Sequence, residues 1–156
     1  MIFVECKPDK ILVKSLCPRV KIRHLSNKSE VCRRLHLISN AIGLIDEDPG
    51  SPQPPYMDEL KIIENPYAHM ILILRDPSRG NLVIILRPRL EEWLMELAGR
   101  RILEKYGFPW NSGLIHTLLR LHPEKIRNVI NNLLREENEV LLYLRKILSS
   151  TFKFKS

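Results

Sequence analysis

Residues 41–50, Ala-Ile-Gly-Leu-Ile-Asp-Glu-Asp-Pro-Gly, carry the acids best placed to do chemistry. The apolar run reads as a buried strand that Pro49 and Gly50 end at once. Asp46 and Asp48 then stand where the chain leaves a sheet, the edge at which open α/β sheets bind ligands. Side chains alternate along an extended chain, so Asp46 and Asp48 are expected to point one way and Glu47 the other. Two aligned carboxylates repel unless a cation lies between them. Mg²⁺, or Mn²⁺ in its place, suits the position because it takes hard oxygen ligands and keeps waters for substrate phosphates. On this reading Asp48→Asn abolishes metal-dependent chemistry and, by relieving repulsion, raises the melting temperature in metal-free buffer.

A third acid comes from the beginning of the chain. Met1-Ile2-Phe3-Val4 is a short apolar strand, Glu5 follows it, and Pro8 suits the first turn of a helix because its missing N–H has no partner there anyway. If the strands before Glu5 and Asp46 are parallel neighbours, all three carboxylates end on one edge. This needs the helix, strand and helix between them to act as crossovers.

A strand ending Val-Glu, an acid four residues on, and a later strand ending Asp-x-Asp resemble the pattern of the TOPRIM domain of topoisomerases, primases and OLD-type nucleases. The matching residues are Glu5, Asp9, Asp46 and Asp48, and the resemblance covers the first half of the chain. It implies a Rossmann-like sheet, Mg²⁺-dependent phosphodiester chemistry on nucleic acid and a nuclease as the expected activity. Asp46 and Asp48 would hold the ion, and Glu5 would ligate a second one or act as general acid/base. The family has glycine where this chain has Cys6, which bears on close backbone approach there. Some OLD-type nucleases use further acids after the Asp-x-Asp strand for a second metal, and Glu91 and Glu92 are the matching candidates. Val4-Glu5-Cys6-Lys7 also fits half of the PD-(D/E)xK pattern, but that pattern needs an acid on a preceding strand, for which four residues leave no room.

The elements that would position these acids follow in order. Residues 8–17 read as an amphipathic helix, residues 20–25 as a half-exposed edge strand ending near His24, and Asn27 with Glu30 as the cap of a helix to about residue 37. Residues 50–55 form a proline-rich loop, residues 56–63 a short helix, and residues 68–74 and 82–86 two apolar strands whose short link makes them an antiparallel hairpin. Tyr56 is a nucleophile by type, but a loop tyrosine without a neighbouring base reads as packing. Pro88 opens a helix that buries Leu90, Trp93, Leu94 and Leu97, with Glu91 and Glu92 in its first turn, where acids also favour the helix dipole. From residue 107 onward three apolar stripes indicate helices. The fold class is thus α/β: a TOPRIM-like mixed sheet over residues 1–106, parallel in its core, then a helical subdomain and basic tail over residues 107–156, ending in Phe152, Lys153, Phe154 and Lys155.

Charge points to the partner. The 156-residue chain carries a formal +7; residues 1–36 hold nine Lys/Arg against three acids, and residues 37–64 one Lys against six. A basic surround and an acidic centre suit a phosphodiester, whose phosphates take Lys and Arg while metal neutralises the carboxylates. The candidate nucleic-acid contacts are Lys7, His24, Lys28, Arg33, Arg34, Arg87 and Arg89. Three cysteines without C-x-x-C spacing indicate reduced thiols rather than a disulfide framework or zinc knuckle. No apolar run reaches membrane-span length and the start lacks a signal-peptide pattern, so a cytoplasmic protein with no membrane partner is expected. The competing reading is a non-catalytic module of the same fold that binds nucleic acid or a partner protein.

Overall fold

A computed structural model describes residues 1–153; of the basic tail, Phe154 and Lys155 lie outside the described residues. The chain divides into two compact units, Met1–Cys6 with Val20–Arg89, and Lys7–Arg19 with everything from Leu90 onward. The helices flanking the first unit's segments, at residues 7–16 and 90–105, therefore group with the C-terminal helices. Among the described residues no helix is long and apolar enough to cross a membrane.

The first unit is a six-stranded mixed sheet. Its strands are β1 (Ile2–Val4), β2 (Ile22–His24), β3 (Ile42–Asp46), β4 (Lys61–Ile63), β5 (Ile71–Arg75) and β6 (Leu82–Leu86), arranged β2-β1-β3-β6-β5-β4. The first four in that order run parallel, and β5 pairs antiparallel with both β6 and β4. The expected parallel core, the edge position of the second strand and the hairpin of β5 with β6 are all present. The helix expected over residues 56–63 is instead a 3₁₀ turn at Pro55–Glu59 followed by β4. β-branched Ile62 and Ile63 favour the strand, where they pair with Leu74 and Ile73.

One face of this sheet is closed by α2 (Lys28–Leu37). Asn27 caps that helix as expected, its Oδ1 accepting the Glu30 N–H at 2.9 Å. Val31 and Leu35 pack with Phe3, Ile45, Val83 and Ile85 in one apolar cluster that includes Tyr56. Gly43 lies beneath the helix. A Cβ there would stand 2.7 Å from Leu35 Cδ1 and 3.0 Å from Val31 Cγ1, so glycine is what allows helix and strand to approach this closely.

The second unit is helical: α1 (Lys7–Leu16), α3 (Leu90–Lys105), α4 (Ser112–Leu121), α5 (Ile126–Arg135) and α6 (Glu139–Lys153), with a 3₁₀ turn at Pro123–Lys125. α1 lies against α5, and α3 against α4 and α5. Leu90, Trp93, Leu94 and Leu97 are buried as their spacing predicts. Leu114 is 56% exposed, because α4 turns only Ile115 and Leu119 fully inward. α3 starts two residues after Pro88 and breaks at Gly99, a kink that nothing in the apolar periodicity announces.

Candidate functional site

The parallel strands end together. β1 lies between β2 and β3, so the chain leaves β1 toward one neighbour and later returns on its other side. A reversal of this kind opens a crevice at the carboxyl ends of the two central strands. Glu5 follows β1 directly and Asp46 is the last residue of β3; both are half-buried. Glu5 Oε2 accepts the backbone N–H of Asp46 at 2.8 Å. His24, in register with Val4, ends β2 on the same edge and is exposed.

Beyond Asp46 the geometry departs from the alternating chain. β3 ends there, and Asp48 has φ 51, in the left-handed region. Simple alternation therefore does not extend to Asp48, and the expectation that it points with Asp46 loses its basis. The backbone is held instead by β6: Glu47 N–H donates to Leu86 O at 3.0 Å and Asp48 N–H to Pro88 O at 2.9 Å.

Each acid after Asp46 has a cation from the segment after β6. Arg87 Nε donates to Glu47 Oε2 at 2.9 Å, and Arg89 Nε to Asp48 Oδ1 at 2.9 Å. Asp48 Oδ2 also accepts the Ser51 hydroxyl at 2.8 Å. The Ser51 hydrogen bond foremost, helped by Arg89 and Lys28, holds the Asp48 carboxyl below its ordinary pKa against the opposing effect of desolvation. These pairs were missed in the sequence because they depend on β6 lying beside β3. Asp46 is in register with Leu86, so carrying the offset one and two residues on brings Glu47-Asp48 alongside Arg87-Pro88-Arg89.

Lys28, at the start of α2, fastens the loop. Its Nζ donates to Glu47 O at 2.9 Å and to Gln53 Oε1 at 3.3 Å, and Gln53 Nε2 returns to the Glu47 and Ser51 carbonyls. The field of this edge reaches Cys32 one turn along α2. Burial pushes its thiol up to about 11, with Lys28 pulling down and Glu5 pushing up, so it stays protonated at neutral pH.

The other expected contacts are more dispersed. Arg33 is exposed and paired with Glu30 at 3.1 Å, and Arg34 lies in the last turn of α2. Lys7 opens α1 and is exposed, while Asp9 on the same helix is fully buried; both belong to the second unit. Glu91 and Glu92 are in the first turn of α3, also in that unit, and Glu91 Oε1 lies 2.7 Å from His116 Nδ1. Among the described residues, no three His, Cys, Asp or Glu side chains group closely enough to hold a metal ion.

A second polar cluster lies at the opposite end of the strands, where β5 leads into β6. Asp76 is fully buried; it accepts the Tyr56 hydroxyl at 2.7 Å, Arg79 Nη1 at 3.1 Å, and the backbone N–H groups of Ser78 and Arg79. Asn81 donates to Tyr56 Oη and to the Leu35 and Ile38 carbonyls, and accepts Ala41 N–H. Burial raises the Tyr56 hydroxyl well above its ordinary pKa, with Asp76 adding to the effect and Asn81 opposing it. Tyr56 thus keeps its proton and acts as a structural donor.

Compared with protein-family models, curated proteins and solved structures, the chain matches none.

Proposed function

We propose that the edge formed by Glu5 and Asp46 carries out Mg²⁺- or Mn²⁺-dependent phosphodiester hydrolysis on nucleic acid, in an arrangement resembling TOPRIM nucleases. The observation that carries this reading is the 2.8 Å contact from Glu5 Oε2 to Asp46 N–H across adjacent parallel strands at the reversal of strand order. Glu5 and Asp46 offer the hard oxygen donors that such an ion takes. Asp48 fits the same role once Arg89 exchanges its carboxylate for a substrate phosphate. When bound, the ion supplies charge neutralisation at the phosphate and a lowered pKa for the attacking water.

The protein's own groups then divide the work. The Asp46 N–H orients Glu5, which either ligates or takes a proton from the water. Arg87 and Arg89 present guanidinium forks suited to phosphate oxygens. Lys28 keeps the residue 47–53 loop in place beside them.

A second reading, a non-catalytic nucleic-acid-binding or protein-interaction module of the same fold, is favoured by one observation. Glu47 and Asp48 are already neutralised by Arg87 and Arg89, which stabilises the loop without an ion. Cleavage of mixed DNA and RNA substrates with Mg²⁺ or Mn²⁺, beside Mn²⁺ binding, separates the two. Hydrolysis by the wild type that Asp46→Asn and Glu5→Gln abolish supports the enzyme. Nucleic-acid binding with neither cleavage nor metal binding supports the module.

A further inference from the structure

The sheet of the first unit ends in an open edge. Among the described residues β5 is the one strand beside β4, and Lys61, Ile62, Ile63 and the following Glu64 are all exposed. Exposure of all four leaves the outer side of β4 uncovered, with the backbone N–H and C=O groups that turn away from β5 open to another chain. Two apolar side chains stand on this edge: Ile62 is 69% exposed and Ile63 36%. The other edge strand, β2, instead exposes Arg23 and His24 and keeps Ile22 half-buried.

Charge decides what fits β4. Lys61 pairs directly with Arg75 of β5, and both are exposed. Directly opposite residues of an antiparallel pair share a face, so two like charges stand side by side, an arrangement that destabilises a sheet. Among the described residues neither cation has an acid within ion-pair distance. The acids nearest in sequence on either strand's entry or exit, Glu59 and Asp76, are both held by Arg79.

Lysine on an edge strand also guards against self-pairing, and symmetry strengthens that effect here. A two-fold axis perpendicular to the sheet preserves the faces of both copies of β4, so only residues of the same parity can stand opposite each other. Ile62 opposite Ile62 then sets Lys61 against Ile63, and Ile63 opposite Ile63 sets Lys61 against Asn65. Lys61 against Glu64 is excluded by parity, and Lys61 against Glu59 would need strand pairing where the chain forms the 3₁₀ turn at Pro55–Glu59. No second copy therefore neutralises Lys61 and Arg75.

We propose that β4 binds an acidic extended segment of another protein by strand addition. The segment's backbone pairs with β4, a carboxylate stands opposite Lys61 on the face shared with Arg75, and apolar side chains stand opposite Ile62 and Ile63. A strand this short makes a small, transient contact. The proposal is independent of the activity assigned to Glu5 and Asp46.

The test is titration of the full chain, followed by backbone amide NMR shifts, with two short synthetic peptides of Thr and Val that differ in one central residue, Glu or Lys, and with a single-stranded oligonucleotide. Saturable shifts at Lys61, Ile62 and Ile63 with the Glu peptide, and weaker binding of the Lys peptide, are expected. Arg75→Gln should weaken the Glu peptide. Lys61→Glu should weaken it about fivefold or more and tighten the Lys peptide, a gain that loss of folding cannot mimic. No saturable binding of the Glu peptide, equal affinity for the two peptides, or a preference unchanged in Lys61→Glu overturns the proposal. An oligonucleotide that displaces the peptide from these amides would overturn it in favour of a phosphate site. Shifts at β4 that depend on protein concentration without peptide would overturn it in favour of self-association.

Discussion

Glu5 Oε2 accepts the Asp46 N–H at 2.8 Å, so the first acid of the chain holds the backbone at the end of β3. The contact ties the end of β1 to the end of β3 just past their last paired positions, one residue beyond Val4 and two beyond Leu44. It gives Glu5 a structural role beside the chemical one proposed for it. Glu5→Gln keeps an acceptor for the N–H but loses its charge, at an expected cost of about 1 kcal/mol, whereas Glu5→Ala removes the acceptor and costs about 2 kcal/mol. Melting curves should rank wild type above Gln above Ala. Cleavage should be lost in both, and activity that instead follows the stability ranking would make Glu5 structural alone.

Asp48 gives a prediction opposite to the one drawn from repulsion between aligned acids. Its carboxylate already has Arg89 and Ser51 as partners, so Asp48→Asn removes an attraction. The pair is two-fifths exposed on each side, and exposed pairs contribute about 0–1 kcal/mol. A slightly lower or unchanged melting temperature in metal-free buffer is expected, and a clear rise would show that repulsion dominates after all. Asn tolerates the positive φ of this position, which keeps backbone strain out of the comparison.

What the sequence made legible was the order of apolar runs and their stops. Residues 2–4 and 42–46 are strands because continuous apolar chain ends in acid, and Asn27 is a cap because Glu30 N–H needs an acceptor. Strand adjacency was less accessible. The pairing of β6 with β3 was not predicted, and without it Arg87 and Arg89 looked like free phosphate contacts instead of partners of Glu47 and Asp48. Local backbone choices were hidden as well. The left-handed turn at Asp48 and the break at Gly99 leave the hydrophobic pattern on either side unchanged.

Asp76 should govern acid stability. Burial alone would raise its pKa, but the Tyr56 hydroxyl, the Arg79 guanidinium and two backbone N–H groups outweigh that and hold it below the ordinary value. A carboxyl with a depressed folded-state pKa stabilises the protein above its unfolded pKa of about 4, and the contribution disappears as pH falls through the folded value. Stability should therefore be flat in this respect from pH 7 to 5 and fall in the acid range below. Asp76→Ala, which strands the buried Tyr56 donor and the Ser78 and Arg79 N–H groups, should cost about 3 kcal/mol. It should also flatten the acid limb of a denaturation series run across pH. An acid limb identical in wild type and variant would assign that limb to other carboxylates.

The proposed binding of nucleic acid at the Glu5–Asp46 edge predicts a signature in salt. Each phosphate neutralised releases condensed counterions, so log affinity falls with log salt by about 0.9 per phosphate on duplex DNA and about 0.7 on single strands. Arg87 and Arg89 are held by Glu47 and Asp48 through Nε, so a phosphate competes with these carboxylates for the guanidinium charge. That competition keeps the affinity gain small but leaves the counterion release intact. Arg89→Gln should therefore reduce the salt slope by about one unit while weakening binding evenly across sequences. Fluorescence anisotropy on a labelled oligonucleotide over a salt series measures both. A slope unchanged in Arg87→Gln and Arg89→Gln would place the phosphate contacts elsewhere and leave these arginines as the clasp of the acidic loop.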